Sequence, residues 1–200
     1  MTQVTVLDYG MGNLRSVAKA LEAVGASVSI ASTVPDGGSD LLVVPGQGHF
    51  GACVRTLGDA QLDAIRAWIA ADRPYLGICL GLQLLFASSE ESPEPGTSII
   101  DGNVVRFRDA PKVPHIGWNQ ITPGPAGDTW FGSLDGARFY FVHSFYPAPT
   151  DATLTAATST HGETFCAAVA RGPLLATQFH PEKSGDAGLA LLERVVKAAA

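Results

Sequence analysis

A cysteine between glycines is the first group in this sequence that could do chemistry. Cys79 lies in GICLG (77–81), after one apolar run and before another. Small residues around a nucleophile are typical of a tight turn from strand to helix, which lifts the side chain to the edge of a sheet. That turn would leave the backbone N–H of Leu80 free to bind an oxyanion. The alternative is a core cysteine between two unrelated glycines.

A nucleophilic cysteine needs a base, and His180 is the best candidate among five histidines. It lies in QFHPEKS (178–184), directly after an apolar run, and Pro181 keeps it extended. Because residues i and i+2 of an extended chain face the same side, Glu182 can orient the imidazole. We therefore predict a catalytic set of Cys79, His180 and Glu182, although a histidine beside a carboxylate is also common without catalysis.

A glycine-rich loop, VVPGQGHFG (43–51), follows another apolar run. Three glycines in six residues leave backbone amides exposed beside the neighbouring strand end. We expect the second oxyanion donor there, among Gly46, Gln47 and Gly48. Taken alone, these residues would equally fit an ordinary strand-to-helix loop.

These groups need a scaffold, and the hydrophobic pattern supplies one. Short apolar runs predict strands at 4–8, 27–31, 41–45 and 75–78, and helical periodicity predicts helices at 14–24, 57–69 and 80–89. This alternation predicts an α/β fold, with a mostly parallel open sheet flanked by helices. Closely spaced apolar runs between 103 and 180 predict an antiparallel extension, and 187–200 predicts a C-terminal helix.

Composition narrows the class of protein. A chain of 200 residues fits one domain or at most two small ones, and we predict a single domain, 1–200. A formal charge of −6, with no basic run among 13 Lys and Arg, argues against a nucleic-acid partner. No stretch reaches the roughly 18 apolar residues of a membrane span. Three widely spaced cysteines without a C-x-x-C pair argue against a zinc ribbon and predict a reducing, cytoplasmic setting.

Taken together, PGQGHFG, GICLGLQLLF and QFHPEKS resemble the signatures of class I (triad) glutamine amidotransferase domains, in the family's order and separation. The segments DYGMGNLRSV (8–17), PHIGWN (114–119) and YFVHSFY (140–146) further resemble the glutaminase subunits of imidazole glycerol phosphate synthase. The resemblance covers essentially the whole chain and implies a flavodoxin-like sheet.

The resemblance implies hydrolysis of L-glutamine through a thioester on the cysteine, with the histidine as base and the glutamate orienting it. Ammonia would pass to a (β/α)8-barrel synthase (cyclase) subunit in a heterodimer serving histidine biosynthesis, with no metal and no organic cofactor in the glutaminase itself. Substrate contacts map onto Gln83, His143, Ser144 and Phe145. This sequence has Gln47 at a loop position where many family members carry an apolar residue.

The resemblance also implies a partner face. Asn13 and Lys183 could make polar contacts there, and Tyr9, Met11 and Trp118 could supply apolar anchors. The alternative for Met11 and Trp118 is packing within the domain.

Three other readings remain open from the sequence. A dinucleotide site is suggested by Gly10-Met11-Gly12, but Arg15 replaces the last glycine of that motif and SIAST lacks the expected acidic residue. An amidotransferase serving anthranilate, aminodeoxychorismate, guanylate or pyridoxal phosphate synthesis fits the flanking segments less well. A stand-alone cysteine hydrolase or peptidase would use the same catalytic set.

Overall fold

The structure, a computed structural model, describes all 200 residues. The strands are β1 (Gln3–Leu7), β2 (Ser27–Ala31), β3 (Leu41–Gly46), β4 (Tyr75–Cys79), β5 (Ser88–Ser89), β6 (Gly102–Arg106), β7 (His115–Gln120), β8 (Thr122–Pro123), β9 (Arg138–His143), β10 (Phe145–Pro149), β11 (Thr155–His161), β12 (Glu163–Arg171) and β13 (Leu174–Thr177). The α-helices are α1 (Leu14–Ala23), α2 (Phe50–Ala70), α3 (Leu80–Gln83), α4 (Asp128–Phe131) and α5 (Gly185–Ala198). Short 3-10 helices cover Gly132–Leu134, Ala152–Leu154 and Pro181–Lys183.

Eight strands form the central sheet, in the order β2-β1-β3-β4-β13-β12-β11-β8. The first five run parallel, and the other three add antiparallel pairings. This confirms the predicted α/β class with a mostly parallel sheet. The central strands β3 and β4 are buried along their whole length, as their unbroken apolar sequences predict.

Apolar cores cover both faces of the sheet. Along β3, Leu41 and Val43 belong to one core and Leu42 and Val44 to the other, because successive side chains of a strand point to opposite faces. Helices α1 and α5 contribute to the first core and α2 to the second. No helix is both long and apolar enough to cross a bilayer.

The helix predicted at 80–89 is wrong beyond Gln83. The carbonyl of Leu84 accepts hydrogen bonds from the backbone N–H and hydroxyl of Thr97, and that of Leu85 accepts from the N–H of Ile100. These long-range partners replace the bonds that would continue α3. Helix α2 begins earlier than predicted, at Phe50, and contains one non-helical residue, Gly58.

The antiparallel extension is smaller than predicted. Only β12, β11 and β8 extend the central sheet, whereas β10-β6-β5 and β7-β9 form two separate small sheets. Strand β9 alternates between buried and more accessible residues, and strand β7 alternates between exposed and less exposed ones. A strand with one solvated face suits a small sheet laid over the core, not the middle of a two-sided sheet.

Candidate active site

Cys79 lies at a strained bend between β4 and α3. Its φ of 56° and ψ of −100° are unusual for a residue with a side chain. A side chain at Gly81 would overlap the carbonyl of Val44, and one at Gly77 would press on the carbonyl of Gly81. The glycines on both sides of the cysteine are therefore required by close backbone approach.

Two backbone segments that could supply amides to an oxyanion flank Cys79. The N–H of Leu80 belongs to the first turn of α3, where no intrahelical partner exists. Strand β3 pairs with β4 so that Gly46 lies opposite Cys79. In the loop that follows, the N–H groups of Gln47 and Gly48 donate no hydrogen bond within the protein, and Gly48 has a φ of +116°.

His180 reaches the same sheet edge because β13 lies next to β4, with Thr177 opposite Ile78. Its Nδ1 lies 2.9 Å from Oε1 of Glu182, and both side chains are 1% exposed. The structure therefore brings together the pair that the i, i+2 spacing predicts. The backbone N–H of His180 also donates to the carbonyl of Tyr140, which holds the chain extended.

The pKa of His180 reflects both burial and its neighbours. Burial of the imidazole lowers the pKa, but the adjacent Cys79 and Glu182 favour the imidazolium and raise it to about 9. Nε2 of His180 is buried and has no hydrogen-bond partner. The raised pKa favours transfer of a proton from the neighbouring thiol to the imidazole, and Nε2 is the ring nitrogen that Glu182 leaves free to receive it.

A cavity of about 340 Å³ opens beside the cysteine. Its lining includes every residue predicted to contact substrate and two of the three residues of the predicted oxyanion loop, Gly46 being outside it. The lining residues are Gln47, Gly48, Cys79, Leu80, Gln83, Glu91, Pro114, Val142, His143, Ser144 and Phe145. Nε2 of Gln83 donates to the carbonyl of Phe145 at 3.2 Å, which links α3 to the opposite wall. The volume suits a small polar molecule rather than a macromolecule.

A family model described as glutamine amidotransferase class-I matches residues 5–198. The chain belongs to the class-I glutamine amidotransferase family. Two relatives carry the name imidazole glycerol phosphate synthase subunit HisH. The one from Aromatoleum aromaticum is 46% identical, with 98% of each chain covered. The one from Microcystis aeruginosa is 48% identical, with 98% of this chain and 96% of the relative covered. The predicted resemblance is confirmed.

Solved structures share the fold of this amidotransferase. PurLQS from Thermotoga maritima superposes with a TM-score of 0.75 at 16% identity, covering 98% of both chains. A glutamine amidotransferase from the same organism gives a TM-score of 0.64 at 17% identity, covering 90% of this chain and 76% of the other. At such identities the likeness concerns the fold alone.

Sequence reasoning missed two polar residues of the amidotransferase site. Nε2 of Gln178 lies 3.5 Å from Sγ of Cys79, and its Oε1 accepts from Gln83 at 3.0 Å. Gln178 shares the i, i+2 spacing of His180 and Glu182, so the same alternation argument could have found it. Glu91 lines the cavity and accepts the N–H of Phe50 at 2.7 Å. It lies in a surface loop, and no local signal indicates it.

The predicted partner residues divide into two groups. Trp118 is 51% exposed, Asn13 is exposed with its side chain capping α1, and Met11 and Lys183 are partly exposed. The sequence predicts Tyr9 as an apolar anchor for a partner, but its side chain is buried, with only 7% exposed. Its hydroxyl donates to the carbonyl of Pro45 at 2.7 Å, so its contacts lie within the chain.

Proposed function

We propose that this amidotransferase hydrolyses L-glutamine to glutamate and ammonia, with Cys79, His180 and Glu182 as the catalytic residues. The observation that carries the proposal is the buried His180–Glu182 pair beside a cysteine held on a strained bend at a small cavity. The family and its full-length relatives support the same reaction.

The reaction has two steps, formation of a thioester on Cys79 and its hydrolysis. Nε2 of His180 takes the thiol proton of Cys79, and sulfur attacks the carboxamide carbon of glutamine to give a tetrahedral oxyanion. Collapse breaks the C–N bond as the imidazolium gives its proton to the leaving nitrogen, which departs as ammonia. Water, deprotonated by His180, then attacks the thioester, and the restored thiol and glutamate are released.

The oxyanion is assigned to backbone donors. Leu80 supplies one N–H, and the loop of Gly46, Gln47 and Gly48 supplies the other. Glycines on both sides of Gln47 would let that peptide turn its N–H toward the cavity. Because the donor is a main-chain N–H, the polar side chain of Gln47 is compatible with this role, although many family members carry an apolar residue there.

Substrate recognition is assigned to the cavity walls. Gln83 and the segment His143, Ser144 and Phe145 would contact the polar ends of glutamine. Glu91 is the only carboxylate on the wall, and we assign it to the α-ammonium group, since opposite charges attract strongly in a partly enclosed site.

The relatives are named as subunits, and on that ground we propose a partner for this chain. A (β/α)8-barrel synthase subunit would form a heterodimer with it and use the ammonia for histidine biosynthesis, in the cytoplasm. Exposed Trp118 and Ile116 on β7, at 51% and 58%, provide apolar contact area. Met11, Asn13 and Lys183 would extend this face.

The test is ammonia release from glutamine, measured alone and then in the presence of a barrel-type synthase with its nucleotide ligand. Cys79→Ala should abolish glutamine-dependent turnover but leave ammonia-dependent synthesis by the complex intact. Loss of both activities would show that the substitution disrupts folding or docking. Release without any stimulation by the partner would favour a stand-alone hydrolase, and stimulation only by another synthase would reassign the pathway.

A further inference from the structure

Two buried histidines and the partly buried Asn119 form a hydrogen-bonded row that begins at the cavity wall. Nδ1 of His143 lies 2.9 Å from the carbonyl oxygen of Phe145, and Nε2 of His143 lies 3.0 Å from Nδ1 of His115. Nε2 of His115 lies 3.2 Å from Nδ2 of Asn119. His115 and His143 are only 4% and 6% exposed. The row therefore runs from the cavity wall into β7.

The end at the cavity fixes one direction of hydrogen bonding. A carbonyl oxygen only accepts, so Nδ1 of His143 must carry the proton that it donates to Phe145. In the neutral ring Nε2 of His143 is then an acceptor. Nδ1 of His115 must in turn carry the proton that it donates to His143.

The other end gives the same direction independently. Oδ1 of Asn119 accepts the N–H of Gln120 at 2.8 Å, and Nδ2 donates to the carbonyl of Thr160 at 2.8 Å. The amide group is thereby oriented with its nitrogen toward His115. Nδ2 donates to Nε2 of His115, which must be unprotonated. Both ends thus require neutral imidazoles with the proton on Nδ1.

The surroundings favour the neutral rings. His115 stacks between Phe141 and His161, with ring centroids 4.9 and 4.2 Å away. Burial, with the neighbouring His161, lowers the pKa of His115 to about 4. Burial also lowers the pKa of His143 to about 3, and His115, His161 and His180 add repulsion against its charged form.

The row ends on a group that shapes the glutamine site. The carbonyl of Phe145 accepts from both His143 and Gln83, so its orientation depends on both donors. We propose that His115, held by Asn119, is a positioning residue that orients His143 and the segment 143–145 for glutamine binding. This inference rests on the proposed glutaminase function. It gives PHIGWN a role within this chain besides any contact with a partner.

The matched substitutions are His115→Asn and His115→Gln. An asparagine amide nitrogen lies as many bonds from Cβ as Nδ1 does, so it can donate to His143. A glutamine amide nitrogen corresponds to Nε2 and cannot replace that bond. We expect His115→Gln to raise the KM for glutamine roughly tenfold, with kcat within about threefold, and His115→Asn to restore most of the binding. Equal KM values for wild type and His115→Gln would overturn the proposal.

Nitrogen-15 NMR of histidine-labelled wild-type protein tests the row without any substitution and without activity. At pH 7 the ring signals of His115 and His143 should both report the neutral Nδ1–H tautomer. The Nε2–H tautomer or an imidazolium at either position would overturn the inference. If both rings show the Nδ1–H tautomer but the protein does not hydrolyse glutamine, the proposed glutaminase function is wrong, whereas the hydrogen-bonded row of His143, His115 and Asn119 is still supported.

Discussion

The imidazole of His180 has unlike neighbours on its two sides. Glu182 accepts from Nδ1, while Nε2 remains unpaired in a buried position near Cys79. An unsatisfied buried polar atom is costly, and a catalytic role is one explanation for such an atom in a native structure. The residue-level arrangement therefore suits Nε2 of His180 to take the thiol proton of Cys79.

Replacing the orienting carboxylate tests this arrangement. Glu182→Gln removes a charge that helps to raise the pKa of His180, so the pH dependence of kcat should move to lower pH. Its loss of kcat should be smaller than the factor of roughly 10²–10⁴ expected for His180→Ala, since the base itself remains. Steady-state kinetics from pH 6 to pH 10 measure both effects. A loss at Glu182 equal to that at His180, without a shift in the profile, would contradict an orienting role.

The bend at Cys79 can be tested through its glycine. Gly81→Ala forces a methyl group against the carbonyl of Val44, which belongs to a rigid central strand. We expect a loss of about 1–3 kcal/mol or more in the free energy of unfolding, from urea titration. Gly132→Ala is the matched control, because that site is open and has helical φ and ψ. Equal stability of the two variants would contradict the close-approach explanation.

Much of the residue-level site could be predicted from sequence. The positions of Cys79, His180 and Glu182 follow from a nucleophile turn and from strand alternation, which are local rules. Gln178 obeys the same alternation. Glu91 could not be found, because its approach to the N terminus of α2 depends on how a surface loop folds back across the sheet edge.

At the scale of elements, the segment after β1 supports the segment after β3. Tyr9 donates to the carbonyl of Pro45, and Sγ of Cys53 lies 3.3 Å from the same hydroxyl. A side chain at Gly46 would collide with that hydroxyl. The loop that carries the proposed oxyanion amides is therefore anchored at its base by a neighbouring strand end.

Removing the Tyr9 hydroxyl tests this anchor. Tyr9→Phe leaves a buried carbonyl without its donor, which costs about 1–3 kcal/mol in the free energy of unfolding. Tyr140→Phe is the matched control, since the hydroxyl of this partly buried tyrosine forms no hydrogen bond within the protein. Urea unfolding of both variants gives the comparison. A stability loss no greater for Tyr9→Phe than for the control would show that the bond contributes little.

The parallel strands and most helices could be predicted because their patterns are long and regular. The end of α3 could not, since carbonyls 84–87 find partners at 96–100 that no local pattern specifies. The small sheets likewise depend on which strand edges meet after the chain has folded. Both failures concern long-range backbone hydrogen bonds.

For the whole molecule, the histidines predict how stability changes with pH. The pKa values of His115 and His143 are lowered from 6.5, so below about pH 6.5 the unfolded chain binds more protons and stability falls. His180 has the opposite effect because its pKa is raised. Its contribution to the free energy of unfolding is fully present below pH 6.5 and is lost as the pH rises through about 9. Urea midpoints should therefore be highest near neutrality. A flat profile between pH 7 and pH 5 would contradict the buried neutral histidines.

The chain contains three free thiols, and they differ in their access to the cavity. Burial raises the pKa of Cys53 and of Cys166 to about 12, so both remain protonated and shielded. Cys79 alone borders the cavity. A maleimide dye applied to the native protein should therefore attach once per molecule, at Cys79. The absorbance of the bound dye would then measure the fraction of molecules in a preparation whose Cys79 is reactive.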